Sequence, residues 1–397
     1  RAPRRGSRAA RPCARGAART PLGGGPSPAR SSMGLSKPAP RPSLVGSASA
    51  AVATAAFLAL SCMFTPGACY DVCQQGGKAF FWVALAFTAF NPLPLLPPRL
   101  WGASAPLVLV TWAAVAFGIS ALGDPMVLFE RAWRAMIEQL SLPTIAIAGS
   151  AAIHAALTVV LNIHPVLVQN TKHLQPFKIQ QDKPPASVAE WRHCIVHIVA
   201  SQLLVQLPLI SGQYLFIKYF EIPFDYESIP SCWSLLWRVY LSLVVDDTWV
   251  YFGHRALHDR RIYKHIHKVH HTYTSPFAPD AEYEHPVETV VLGIGFFLAC
   301  LFFTSHLLFM WVWLYARLVV TYDSHSGYEY PMNILHLIPF YNGAREHDWH
   351  HQYFNGMFAP TFTYWDRLFG TNAGFLEHQR KRLEQEAKQE VQEAKED

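Results

Sequence analysis

One apolar run constrains this chain more than any other stretch, because it separates two groups of histidines. Residues 289–322 lie between the histidine-dense segments 254–271 and 347–351. If those histidines meet, the run must enter a bilayer and return. Its 34 residues reach about 50 Å as helix, short of two cores of about 30 Å plus a turn. The sequence therefore predicts a hairpin of short or tilted helices. Earlier runs at 144–168, 195–217 and 234–253 are also of span length. The loops around them alternate in charge. Lys172, Lys178, Lys183 and Arg192 come first, then Glu221, Asp225 and Glu227, then Arg255, Arg260, Arg261, Lys264 and Lys268. Basic, acidic, basic across successive spans is the positive-inside pattern, and it turns the histidines toward the cytosol.

Composition agrees with a membrane protein. Hydrophobic residues make up 51% of the chain and charged residues only 15%, against a usual share of about 25%. The net charge of +5 comes from residues 1–42, which hold ten Lys or Arg and no acid; the remainder has 23 basic against 28 acidic residues. Nucleic-acid binding is thereby disfavoured. Residues 1–42 lack apolar periodicity and read as a disordered basic segment. Met33 opens a more ordinary sequence, so residues 1–32 read as sequence upstream of a start, with an Arg-rich, acid-free transit-like segment as the alternative. Residues 43–125 carry extra apolar segments at 44–64, 79–96 and 103–122, the second interrupted by Pro92 and Pro94. Residues 126–375 form the expected membrane-embedded domain, and 376–397 a charged, solvated tail. The seven cysteines show no CxxC pair, and no disulfide framework is expected.

The chemistry lies in the histidines. His254 and His258 are spaced i, i+4 and project together on a helix. His267, His270 and His271 form a second such face, and His347, His350 and His351 a third. Neutral imidazole suits Fe, Zn, Cu and Ni. These eight imidazoles exceed what one ion accepts, so two ions are implied. His285 and His325 sit in polar turns beside acids and are expected to complete the shells. Asp247, two turns before His254, is the candidate carboxylate backing a ligand from the outer shell. An ion pair of Asp247 with Arg238 or Arg255 is the alternative. The expected fold is all-α and integral to the membrane, with transmembrane hairpins carrying a cytosolic helical cap that holds a dinuclear, histidine-rich site. No HExxH, GxSxG, GxGxxG or Walker pattern occurs, so reducing equivalents must arrive from a partner.

The boxes HRALH, HKVHH and HDWHH resemble those of the fatty acid hydroxylase superfamily, integral-membrane non-haem di-iron oxygenases, and within it the methylsterol monooxygenases. KIQQDKP (178–184), DDTWVYFGHRALH (246–258), YKHIHKVHHTYTSPFAPDAEYEHPVET (263–289), DSHSGYEYP (323–331), LIPFYNGAREHDWHH (337–351) and TYWDRLFGT (363–371) carry the likeness, which spans residues 132–371. The resemblance implies O2-dependent oxidation of a sterol 4-methyl group through alcohol and aldehyde to carboxylate. It implies two iron ions, for which zinc can substitute, and electrons from NAD(P)H through a reductase and a cytochrome b5-type carrier. It also implies an endoplasmic-reticulum membrane and association with other sterol 4-demethylation enzymes. Two other readings stay open. One is a hydroxylase or desaturase acting on an acyl chain, sphingoid base or different sterol carbon. The other is a non-catalytic metal-binding membrane protein such as a zinc transporter, which would place its ligands at mid-bilayer.

Overall fold

The computed structural model describes residues 125–329 and 333–396; the expected disordered segment and the three early apolar runs lie outside them. All regular structure among these residues is helical, with two isolated β-bridges, Lys178 to Tyr328 and Tyr341 to Phe362. In chain order, α1 is Pro125–Gln139, α2 Thr144–Asn170, α3 Val188–Tyr219, α4 Cys232–Leu257 and α5 Arg260–Tyr263. Then follow α6 Pro286–Phe303, α7 Leu307–Ser324, α8 Ala344–Tyr353, α9 Tyr364–Leu368 and α10 Ala373–Glu396.

Three helices, α2, α3 and α6, are long and apolar enough to cross a membrane. Their outward faces expose Val159, Leu203, Leu204, Leu215 and Phe302, as lipid-facing helices do. Helix α7 is sheltered instead. Along α7 nearly every residue from Leu307 to Val320 is buried or half-buried, so it forms the centre of the bundle; apolarity all round a helix marks such a position. Helix α4 buries one face at helical spacing: Leu243, Asp246, Asp247, Val250, Tyr251, His254 and Leu257.

The expected hairpin is α6 and α7, each of 18 residues and so about 27 Å long. Two histidines start its arms. His285 Nδ1 accepts the Val287 N–H at 3.1 Å, and His306 Nδ1 accepts the Leu308 N–H at 3.0 Å. Helices α4 and α6 pack most extensively, and Gly295 makes this possible. A Cβ there would lie 2.6 Å from Asp246 Oδ1. The far end of the bundle is stitched by Leu307 N–H to Pro223 O, His306 Nε2 to Asp225 O and Arg238 to Phe303 O. At the opposite end α4 and α7 both terminate, and there the histidines gather.

Candidate metal centre

Nine histidines converge in two groups, each with its ring nitrogens within 4.8 Å of one another. His254, His258, His267, His271 and His350 form the first; His270, His325, His347 and His351 form the second. The last turn of α4 brings His254, with His258 at its C-cap. His325 caps the C-terminus of α7. His347, His350 and His351 stand on α8, which Gly343 (φ 85°) opens and left-handed Phe354 (φ 58°) closes.

The i, i+4 pairs stay together, but the expectation that all three histidines of each HxxHH box share one face fails. His350 leaves its box-mates for the five-membered group, and His270 crosses the other way. On α8 the reason is geometric: neighbouring residues diverge by about 100°, so His350 and His351 straddle two centres. The second box is not an α-helix. Residues 264–272 are turns and a short 3-10 segment, with His271 at ψ 19°.

The tautomers point to a cation. His254 Nδ1 donates to Phe358 O at 2.8 Å, His350 Nδ1 to Gly356 O at 2.7 Å and His325 Nδ1 to Thr321 O at 2.8 Å. His351 Nδ1 donates to Tyr273 O at 3.1 Å, and His267 Nδ1 reaches Glu288 Oε1 at 2.6 Å. A neutral ring that donates through Nδ1 presents a lone pair at Nε2. Those Nε2 atoms nonetheless stand close together. His271 is 3.3, 3.0 and 3.1 Å from His258, His267 and His350, and His347 is 2.9 and 3.2 Å from His325 and His351. His271 and His347 have no Nδ1 partner among the described residues. An Nε2–H on either could serve only one of these neighbours, so the remaining lone pairs repel unless a shared cation lies among them. Nitrogen ligands at about 2.1 Å and right angles would stand about 3 Å apart, which matches. The residues fit two ions. Burial keeps the rings neutral: it pushes His258 down to about 3, aided by His254, and drives His270, His271, His347, His350 and His351 well below the usual range.

Two expected site residues take other places. His285 belongs to neither group, since its Nδ1 is committed to capping α6. Asp247 touches no converging histidine and pairs with neither Arg238 nor Arg255. Its Oδ1 accepts the N–H groups of Thr361 and Phe362 at 2.8 and 3.1 Å. It thereby holds the loop whose Phe358 carbonyl orients His254. Asp366 works on the same loop, accepting from Phe358 N and Ala359 N at 3.0 and 2.9 Å. The carboxylate that does contact a converging histidine is Glu288, its side chain almost wholly buried. An acid in the first turn of an apolar span was the available signal. His154 Nε2, outside both groups, faces Glu282 at 3.4 Å.

A cavity of about 1460 Å³, its open mouth included, runs up to this layer. Leu209, Ile210, Leu292, Phe296, Phe297 and Leu314 are among its apolar lining, and His254, His267, His270, His325 and His347 line it where it meets the metal centre. Both groups therefore look into one apolar chamber.

The fatty acid hydroxylase family model matches residues 239–371, a stretch that includes all nine converging histidines. Methylsterol monooxygenase 1 of Gallus gallus is 44% identical over 258 residues, 65% of this chain and 87% of the relative. The Danio rerio protein of that name is 45% identical over 250 residues, 63% of this chain and 86% of its own length. The Rattus norvegicus one is 43% identical over 247 residues, covering 62% and 84%. No solved structure matches. The chain belongs to the fatty acid hydroxylase family, on its methylsterol monooxygenase branch.

Proposed function

We propose that this chain oxidises the 4-methyl group of sterol intermediates with O2, through alcohol and aldehyde to carboxylate. The observation that carries this reading is the apolar cavity ending on five of the nine histidines, a route by which a substrate dissolved in lipid reaches a polar centre. Relatives named methylsterol monooxygenase support the substrate class. Two iron ions held by the two groups would supply oxygen activation, and imidazole ligands also accept zinc in place of iron. The protein's own part is to hold and shield. His254, His258, His267, His271 and His350 would grip one ion, and His270, His325, His347 and His351 the other. Glu288 and the Phe358, Gly356, Tyr273 and Thr321 carbonyls fix ring orientation, while the chamber's apolar walls exclude water from the reacting end. Electrons would come from NAD(P)H through a reductase and a cytochrome b5-type carrier docking on the histidine side. The loop charges support a cytosolic face, and sterol synthesis supports the endoplasmic reticulum, beside other 4-demethylation enzymes.

Sterol profiling of cells lacking the protein tests the reading. Accumulation of 4,4-dimethyl sterols is the expected result. An unchanged sterol profile with a build-up of an unmodified acyl or sphingoid lipid would favour the other hydroxylase reading.

A further inference from the structure

The cavity wall is mostly apolar but carries four carboxylates in its lining; Asp246 is held by Arg317 and Glu288 by His267, which leaves Glu282 and Glu284. They are engaged very differently. Glu282 accepts from Tyr322 Oη at 2.6 Å, Gln206 Nε2 at 3.3 Å and Thr158 Oγ1 at 3.4 Å, with His154 Nε2 at 3.4 Å. Its oxygens are occupied in tying α2, α3 and α7 together. The Glu284 carboxyl, among the described residues, is hydrogen-bonded by the Thr289 side chain alone; Arg317 and Glu282 act on it through space. Arg317 is itself held by Asp246, whose two oxygens accept from Nε at 3.1 Å.

Glu284 stands at the reactive end. Its neighbour Tyr283 packs on Tyr273 with ring centroids 5.5 Å apart, and the Tyr273 carbonyl accepts from His351. Four residues further on, in the first turn of α6, Glu288 holds His267. The Glu284 backbone carbonyl is fixed by His197 Nε2 at 2.9 Å. The residue is thus pinned between two attachments to the histidine layer, with its carboxyl exposed to the chamber.

A 4-methyl sterol presents one strong hydrogen-bonding group, the ring hydroxyl, on the carbon adjacent to the one bearing the methyl. Apolar contact is non-directional and leaves the flat ring system free to slide along the chamber. A single placed polar group sets its register. We propose, resting on the methylsterol reading above, that Glu284 accepts a hydrogen bond from the sterol ring hydroxyl and so sets the neighbouring 4-methyl group against the histidines. Burial raises this carboxyl to about 7, and both its charged and its neutral form keep an acceptor oxygen. The role therefore survives either protonation state.

The test uses the full-length protein in lipid nanodiscs, with binding and turnover measured for a labelled 4,4-dimethyl sterol and its 3-deoxy analogue. Wild type should prefer the hydroxyl compound by roughly tenfold to a hundredfold in both readouts, the usual effect of a hydrogen bond to a charged group. Glu284→Leu should bind the two alike, and Glu284→Gln, which keeps an acceptor, should retain part of the preference. Should the Leu variant fail to accumulate, a Gln variant ratio below that of wild type supports the assignment. A ratio equal to wild type in either variant overturns it, as does a wild type that binds both sterols alike. A wild type that turns over neither sterol sinks the functional reading instead, and that outcome is visible before any variant is made.

Discussion

The two histidine groups are built from the same boxes but are held in place differently. The five-membered group draws every ligand from the boxes, and its rings lean on Glu288 and on the loop carrying Gly356 and Phe358. The four-membered group borrows His325 from the end of α7 and leans on the Thr321 and Tyr273 carbonyls, with no carboxylate contact among the described residues. A carboxylate behind a ring raises its basicity as a ligand. One centre is therefore backed by a carboxylate, the other by backbone carbonyls and the Ser324 hydroxyl beside His325 Nδ1 at 3.1 Å. Because His270 and His350 are exchanged between the boxes, neither centre can be assembled without the other's segments.

Breaking either group outright has the largest expected effect. His254→Ala and His347→Ala should each abolish turnover while the protein still inserts, because the apolar spans supply insertion by themselves. Metal analysis should show each variant short of one ion. Acid should act on both groups together. The His258 imidazole is lowered to about 3 in the folded protein against about 6.5 when unfolded. The unfolded chain then binds more protons between those values, so stability and metal retention fall as pH drops below about 6.5 and persist above it. Thermal denaturation of the metal-free protein across that window checks the sign; a midpoint that rises on acidification contradicts it.

Glu288→Gln distinguishes the groups. Loss of the carboxylate behind His267 should weaken the five-membered site by about tenfold to a hundredfold and spare the other. Chelator-release kinetics should show two phases of which one accelerates, whereas equal acceleration of both would remove the distinction. Asp247→Asn should do least, since an amide oxygen can still accept from Thr361 and Phe362. It should cost about 1 kcal/mol of stability and leave metal release close to wild type. A loss as large as that of Glu288→Gln would mean that Asp247 acts on the ligands directly.

Much of this was readable from residue spacing. The i, i+4 histidines stay paired, on α4 and α8 because both positions share a helical face and at His267 and His271 within a run of turns. The 289–322 hairpin follows from chain length together with the need for the flanking histidines to meet. The exchange of His270 and His350 was hidden, since one-dimensional spacing does not say that two centres flank a single helix. His285 misled because an imidazole in a polar turn looks the same in sequence whether it binds a metal or caps a helix. Asp247 was chosen over Glu288 for a related reason. Both are acids at the end of an apolar span, and only the packing of α4 against α6 decides which one meets a ring.

Metal content of the purified full-length protein tests the central claim most directly. Two adjacent all-imidazole centres predict close to two ions per chain in active protein, iron or substituted zinc, with His350→Ala and His254→Ala losing the same ion and His347→Ala the other. A stoichiometry near one in fully active protein would contradict the account.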